Sequence, residues 1–169
     1  MKNNVIKKIY QIAFILGALI LTVSACKKEE NNPDLDNQLY NEIKSSTGWL
    51  YYQNGDTLPG TSPSPHGSFR LRFNATAQTV LDTANELPTG SSFPTGSILV
   101  KEVIKNGSLN LLVVMKKNPS GTDAASGWQW GEYHTDGSVE YSAGKKGDAC
   151  IGCHTSNPNR DLTKTFDLH

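Results

Sequence analysis

Two of the three cysteines in this 169-residue chain lie near its C-terminus, in the stretch Cys150-Ile151-Gly152-Cys153-His154. Two thiols three residues apart, followed directly by a histidine, form the pattern by which c-type haem is attached. The thiols add across the two vinyl groups at one porphyrin edge, and the histidine then lies beneath the iron, while Gly152 lets the backbone pass close to the ring. The sequence therefore predicts one covalent haem c, held by Cys150 and Cys153, with His154 as the iron ligand.

Three other uses of a Cys-x-x-Cys pair compete with this interpretation. A disulfide would leave His154 without a role. A zinc site needs more ligands, but there is no second cysteine pair, and His66, His134 and His169 are scattered. A thioredoxin-like redox motif normally begins a helix in a βαβ unit, which the sequence does not predict. Haem attachment accounts for all three residues at once.

The third cysteine, Cys26, follows a typical export signal. Three lysines precede an apolar run from Ile12 to Val23, which is short for a membrane span but suits a signal peptide. The stretch Val23-Ser24-Ala25-Cys26 resembles the lipobox of bacterial lipoproteins. We therefore expect a signal peptide at 1–25, lipidation of Cys26, and a lipid-anchored protein in the bacterial cell envelope, at the periplasmic face or the cell surface. The alternative is an uncleaved membrane anchor. Residues 26–37 are polar and predict a tether, which leaves the haem domain at 38–169.

Composition excludes several classes of protein. The chain is 37% hydrophobic and 19% charged, as expected of one globular domain rather than a disordered chain. Sixteen basic residues balance sixteen acidic ones, so no positive field indicates nucleic-acid binding. Because residues 1–25 hold three lysines and no acid, their removal leaves 13 basic against 16 acidic side chains.

The remaining pattern predicts an α+β fold, a predominantly antiparallel sheet of about five strands with short helices and a C-terminal haem-attachment segment. A helix is expected at 35–46 and another after Asn74, which can cap it. The turn signals Asn106-Gly107 and Asp136-Gly137 favour hairpins, the first of type I′. Strand-like segments lie at 49–53, 69–73, 97–105, 108–117, 127–134 and 138–141.

Five stretches together resemble the cytochrome P-460 family, which includes the c-prime-beta cytochromes. They span roughly residues 45–169 and are His66-Gly67 before the strand with Arg70, FPTGSILVKE at 93–102, VVMKK at 113–117, GWQW at 127–130 and CIGCH at 150–154.

This resemblance implies a haem with a proximal histidine and an open distal face. Members of the P-460 branch carry a covalent bond between a lysine and the porphyrin, oxidise hydroxylamine and bind nitric oxide. Members of the c-prime-beta branch lack the bond and bind small gases under an apolar cap. The implied function is thus binding or oxidation of small nitrogen compounds, with an electron-acceptor protein as partner and a homodimer as assembly. The alternatives are a gas-binding protein without turnover and a periplasmic electron carrier.

Lys101 matches the family's lysine because it lies in FPTGSILVKE. Counting back from the Asn106-Gly107 turn places it opposite Leu112 and between Leu99 and Val103. A lysine in such an apolar face has its ammonium form disfavoured, and the neutral amine is the nucleophile. The alternative is a lysine whose stem lies on apolar surface while its head reaches water.

Glu102 lies on the opposite face and needs a partner there. Arg70 or Arg72 is the candidate, and Arg70 is also a candidate catalytic residue, as a cation for a bound anion. Met115 is expected in the core rather than on the iron, so the predicted haem is five-coordinate.

The N-terminal motif yields a direct prediction. Cys26→Ser should release or misprocess the protein, because acyl chains contribute about 0.8 kcal/mol per buried methylene and several chains anchor stably. Cell fractionation and metabolic labelling with a fatty acid measure this. Recovery of unlabelled wild-type protein in the soluble periplasmic fraction would contradict the lipoprotein assignment and leave the haem assignment untouched.

Overall fold

The computed structural model describes residues 31–62 and 64–169. In them, one sheet contains six strands, each paired antiparallel with the strand that follows it in sequence. The strands are β1 (Leu50–Tyr51), β2 (Phe69–Phe73), β3 (Ile98–Lys105), β4 (Ser108–Lys117), β5 (Trp128–His134) and β6 (Val139–Tyr141). The helices are α1 (Pro33–Ile43), α2 (Ala75–Gln78), α3 (Ile151–His154) and α4 (Thr165–Leu168), with 3₁₀ turns at Tyr52–Gly55 and Ala143–Lys145. The α+β prediction is confirmed, with six strands rather than about five.

The first helix begins earlier than the sequence predicted. Residues 33–37, assigned to the tether, form the first half of α1, which ends at Ile43 rather than near residue 46. The proposed signal peptide and Cys26 lie outside the described residues. Within the described part of the chain, no helix is long and apolar enough to cross a membrane.

A buried carboxylate fixes α1 to the sheet. The Asp36 side chain is 4% exposed and accepts hydrogen bonds from the Tyr133 hydroxyl (2.9 Å), the Ser142 hydroxyl (2.6 Å) and the Ala143 backbone N–H (2.8 Å). Because a buried carboxylate without donors is strongly destabilising, this set fixes the position of the helix. The contact also ties α1 to the segment that leads from the sheet to Cys150.

Each face of the sheet has its own apolar core. The face under α1 buries Leu39, Ile43, Ile98, Val100, Leu112, Val114 and Tyr133. The opposite face buries Phe69, Leu71, Phe73, Leu99, Met115, Trp128 and Trp130, and the C-terminal Phe166 packs on this core. Since side chains alternate along a strand, neighbouring residues of β2 to β5 serve different cores.

The central hairpin confirms the predicted turn but not the whole register. Asn106 and Gly107 have φ values of 53° and 78°, which a type I′ turn requires. Ile104 pairs with Leu109 as predicted, but the register then shifts and Lys101 pairs with Val113 instead of Leu112. Asn110 is the extra residue of a β-bulge, a feature that the turn dipeptide does not encode.

The segment after Asn74 forms only a short helix, α2. The Asn74 side chain accepts from the Ala77 N–H at 3.0 Å, so the predicted cap is confirmed. The helix ends at Gln78, however, before Val80 and Leu81, which pack against the core as part of a loop. The predicted strand at 49–53 is likewise only Leu50–Tyr51, followed by the 3₁₀ turn.

Candidate haem site

A cavity opens on the sheet face opposite α1, beneath the C-terminal segment. About 490 Å³ of space lies within its outline, part of it open to solvent. Its apolar wall comes from the sheet, namely Leu71, Leu99, Val113, Met115 and Trp130. Its polar groups come from the sheet, one loop and the C-terminal segment, namely His66, Lys101, Glu132, Cys150, His154, Thr163, Lys164 and Thr165.

The Cys-x-x-Cys-His stretch folds into α3, one turn of helix. Cys150 precedes this turn and packs against the apolar core, while Cys153 within it is exposed, and both thiols are free. Burial and the nearby Glu132 and Asp148 carboxylates raise the pKa of the Cys150 thiol to about 12. The thiol is therefore protonated at neutral pH. Since residues i and i+3 lie on one side of a helix, both thiols can reach the same edge of a bound ring.

His154 is held in one tautomer by a backbone carbonyl. Its Nδ1 lies 2.7 Å from the Leu162 carbonyl oxygen, and because a carbonyl only accepts, Nδ1 carries the hydrogen. The ring meets Trp130 edge-on, with ring centres 4.9 Å apart. Burial lowers the pKa of His154 to about 4, so the imidazole is neutral. Its Nε2 lone pair is thus available to a metal.

The residues present fit a covalently held haem. Two free thiols and a neutral imidazole with an available Nε2 adjoin an apolar cavity, and these are the groups that a covalent haem with a proximal histidine needs. Among the described residues, no three His, Cys, Asp or Glu side chains come together in a cluster that could hold a metal ion. The buried hydroxyls of Thr163 and Thr165 at the cavity have no hydrogen-bond partner, so they remain free for a polar group of a bound molecule.

Lys101 lies in the cavity, in the apolar surroundings that the sequence predicted. In register, its neighbours are Leu71 on β2 and Val113 on β4. Its Nζ lies 4.3 Å from the centre of the Phe69 ring. Burial lowers the pKa of Lys101 to about 8, so about a tenth of the amine is neutral at pH 7, far more than for an exposed lysine.

Glu132 and His66 are cavity residues that sequence reasoning missed. Glu132 on β5 pairs with Val113 on β4, which in turn pairs with Lys101 on β3. The three residues therefore form one row across the sheet. Its Oε1 is 3.9 Å from His66 Nδ1. Burial and the nearby Glu140 raise the pKa of Glu132, and burial lowers that of His66 to about 4, so the imidazole is neutral and the contact is not an ion pair.

The loop that carries His66 is closed at its base. Leu58 and Phe69 exchange backbone hydrogen bonds of 2.8 and 2.9 Å. Gly60 passes so close to Gly67 that a Cβ on Gly60 would lie 2.5 Å from the Gly67 carbonyl oxygen, so no larger residue fits. The sequence signal for His66 was the His66-Gly67 dipeptide, and Glu132 had no signal, because the sequence does not predict how β5 pairs with β4.

The assignment of Arg70 to the site is wrong. Arg70 and Arg72 lie on the face toward α1, because they alternate with Leu71, which faces the cavity. Both guanidiniums bind Glu102, with nitrogen–oxygen distances of 2.7 and 2.8 Å, which confirms the predicted partner of that carboxylate. Arg72 is 1% exposed and also donates to the carbonyls of Ile43 and Ser45. These arginines thus stabilise the other layer of the domain.

A Cys-x-x-Cys-His turn beside an apolar cavity is the arrangement that covalent attachment of haem c requires. The family model described as Cytochrome P460 matches residues 74–165, over half of the chain. The chain belongs to the cytochrome P460 family and is a haem c cytochrome. The matched part includes Lys101, Glu132 and the CIGCH stretch, whereas His66 precedes it. No curated protein shows significant similarity to the chain.

The site yields a prediction about attachment. In denaturing gels each single variant should retain haem weakly or not at all, since each replacement removes one of the two thioethers, which survive unfolding. The double variant Cys150→Ala/Cys153→Ala should retain only the haem that a further covalent bond, such as one from Lys101, holds to the chain. His154→Ala should keep the covalent haem and change its optical spectrum, because the axial nitrogen is gone. Haem staining and pyridine haemochrome spectra measure both effects.

The matched control is His134→Ala, an exposed histidine on β5 that pairs with Glu140. Its haem content and spectrum should equal those of the wild type. A wild-type protein that leaves a haem-attachment system colourless and carrying zinc would contradict the whole assignment.

Proposed function

We propose that the protein holds one haem c through Cys150 and Cys153, with His154 on the iron, and uses it to bind and oxidise small nitrogen compounds such as hydroxylamine or nitric oxide. The observation that carries this proposal is the row Lys101–Val113–Glu132 across β3, β4 and β5. This row puts a weakly basic amine and a carboxylate of raised pKa in the cavity that His154 also lines.

When bound, the haem supplies an iron that can coordinate a small nitrogen compound and accept electrons from it. The protein's part is to leave one coordination position open, and the cavity contents support this. Met115 lies in the apolar wall of the cavity and packs in the core of the sheet, and we infer that it serves as wall and not as an iron ligand. The electrons must leave to a second protein, so an electron-acceptor protein is the implied partner.

Lys101 is the residue that distinguishes oxidation from simple gas binding. We propose that its amine is joined to the porphyrin, since its Nζ is buried in the cavity and readily neutral. The bond replaces one N–H and one porphyrin C–H by a C–N bond. Two protons and two electrons therefore leave, and an oxidant such as hydrogen peroxide has to take the electrons.

Glu132 is the group that would take protons from the substrate. Oxidation of hydroxylamine releases protons together with electrons, so a base at the site speeds it. Desolvation and the nearby Glu140 make the Glu132 carboxylate more basic than one in water, and the neutral His66 lies 3.9 Å from it. His66 can bridge this carboxylate and a ligand, because a neutral imidazole donates one hydrogen bond and accepts another.

The second candidate is a protein that binds nitric oxide or another small gas without turnover. The apolar wall formed by Leu71, Leu99, Val113 and Met115 favours it, since such a surface excludes water and selects uncharged diatomic ligands. Lys101 distinguishes gas binding from oxidation, because gas binding requires no bond from the amine to the porphyrin. For either function, we propose an envelope location through the lipid on Cys26.

The Lys101 link is tested by peptide mapping of the holoprotein. The peptide that contains Lys101 should carry haem together with the CIGCH peptide, and the ferrous Soret band should lie to the red of an ordinary c-type band. Lys101→Ala should restore the ordinary spectrum and abolish hydroxylamine oxidation with the thioethers intact. Lys105→Ala, at the exposed end of the same strand, is the control. A Lys101 peptide free of haem would assign the protein to gas binding.

Replacement of the proposed base should slow turnover without disturbing the cofactor. Glu132→Gln should lower kcat/KM for hydroxylamine by about 10²-fold or more, since general bases contribute roughly 10²–10⁴-fold. The optical spectrum should not change, because Glu132 is not an iron ligand. Glu42→Gln, on α1 at the other face of the sheet, where Glu42 pairs with Lys116, should keep wild-type turnover. Equal values of kcat/KM in the two variants would show that Glu132 is not the base.

A further inference from the structure

The Leu162 carbonyl, which accepts the hydrogen bond from His154, lies in a strained turn. Arg160 and Thr163 exchange backbone hydrogen bonds of 3.0 and 2.8 Å, and the two residues between them, Asp161 and Leu162, have φ values of 48° and 66°. Two consecutive residues with positive φ define a type I′ turn, which Asn-Gly normally forms. A leucine in this region is strained, because its Cβ crowds the following carbonyl. Such a conformation persists only where its surroundings enforce it.

The surroundings that enforce it converge on the Asp161 carboxylate. One oxygen lies 2.6 Å from Lys117 Nζ at the end of β4, and the other accepts from the Phe93 N–H at 2.8 Å. Both charged side chains are largely buried, 10% and 13% exposed, so water screens their attraction little. Asp161 itself does not line the cavity. Its contacts tie the turn to two distant parts of the chain.

We propose that Asp161, together with Lys117, is a positioning residue for the haem iron. It fixes the turn so that the Leu162 carbonyl accepts from His154 Nδ1 at 2.7 Å, and in this way it sets the orientation and donor strength of Nε2. The inference rests on the proposed function in one respect, that His154 is the iron ligand. It assigns a role to two residues that touch neither the haem ligands nor the cavity's reacting groups.

The physical consequence is electronic. An imidazole that donates from Nδ1 to a fixed acceptor carries more negative charge on Nε2 and is a stronger donor to iron. A stronger donor stabilises ferric over ferrous iron, so the hydrogen bond lowers the reduction potential. If Asp161 no longer fixes the turn, the carbonyl can turn away, Nε2 becomes a weaker donor, and the potential rises.

The test uses the intact holoprotein. In Asp161→Ala, spectroelectrochemistry should show a reduction potential shifted to more positive values, and resonance Raman of the ferrous protein should show the iron–histidine stretch at lower frequency. Covalent haem should be retained. Asp161→Asn should lie between Asp161→Ala and the wild type, because asparagine tolerates positive φ and still accepts from the Phe93 N–H. This conservative variant also keeps the test open should Asp161→Ala fold poorly.

The partner lysine gives a matched pair of variants. Lys117→Met should shift the potential and the stretch in the same direction as Asp161→Ala. Lys116→Met breaks a comparable ion pair, Lys116 with Glu42 at 2.7 Å, one residue away on the same strand, and should shift neither. Wild-type values in both Asp161→Ala and Lys117→Met would overturn the proposal, as would an equal shift in Lys116→Met.

His154→Ala separates this proposal from the function on which it rests. The iron–histidine stretch should vanish in that variant. If the band persists there, the ligand assignment fails and the positioning role fails with it. If the band depends on His154 but is indifferent to Asp161, only the positioning role is overturned.

Discussion

The strict alternation of side chains along β2, β3, β4 and β5 is the constraint on which the rest of the domain depends. It places Glu102 with Arg70 and Arg72 on one face and Lys101 with Leu71 on the other, although these residues are neighbours in sequence. A strand slipped by one residue would bury the ion pairs in the cavity and turn the lysine toward α1. The buried ion pairs therefore also select the register, because a carboxylate left unpaired in the core is strongly destabilising.

The β-bulge at Asn110 is as important as the alternation. Without it, Lys101 would lie opposite Leu112, and β4 would present its other set of side chains to the cavity. With it, Lys101, Val113 and Glu132 form one row that lines the cavity together with His154. Bulges commonly re-aim side chains beside functional sites, and this one brings an amine and a carboxylate into the same cavity. The chemistry we propose depends on that single extra residue.

The sequence predicted those features whose signals are local. Three features each depend on only a few neighbouring residues, so the sequence alone predicts them. They are the type I′ turn at Asn106-Gly107, the Asn74 cap and the Cys-x-x-Cys-His stretch. Lys101 was placed correctly in an apolar face, because three alternating residues of one strand suffice for that inference. The ion pairs of Glu102 followed from the same alternation. The role given to Arg70 was wrong because the cavity occupies only one face, which no strand pattern reveals.

Features that depend on distant parts of the chain could not be predicted. Glu132 joins Lys101 only through β4, His66 reaches the cavity only through a loop closed by Leu58 and Phe69, and the Leu162 carbonyl meets His154 only through a strained turn. The buried Asp36 was read as part of a solvated tether, because its donors lie about a hundred residues away. In each case a partner that is distant in sequence sets the position of the residue, so the residue's own segment does not predict it.

A crystal structure of the holoprotein tests the central claim most directly, since it shows which groups surround the iron. The account predicts a haem between α3 and the sheet, with His154 on the iron and both Lys101 and Glu132 on the porphyrin's side of the sheet. It also predicts Arg70 and Arg72 bound to Glu102 on the far side. A haem bound elsewhere, or a Lys101 side chain directed away from the porphyrin into solvent, would contradict it.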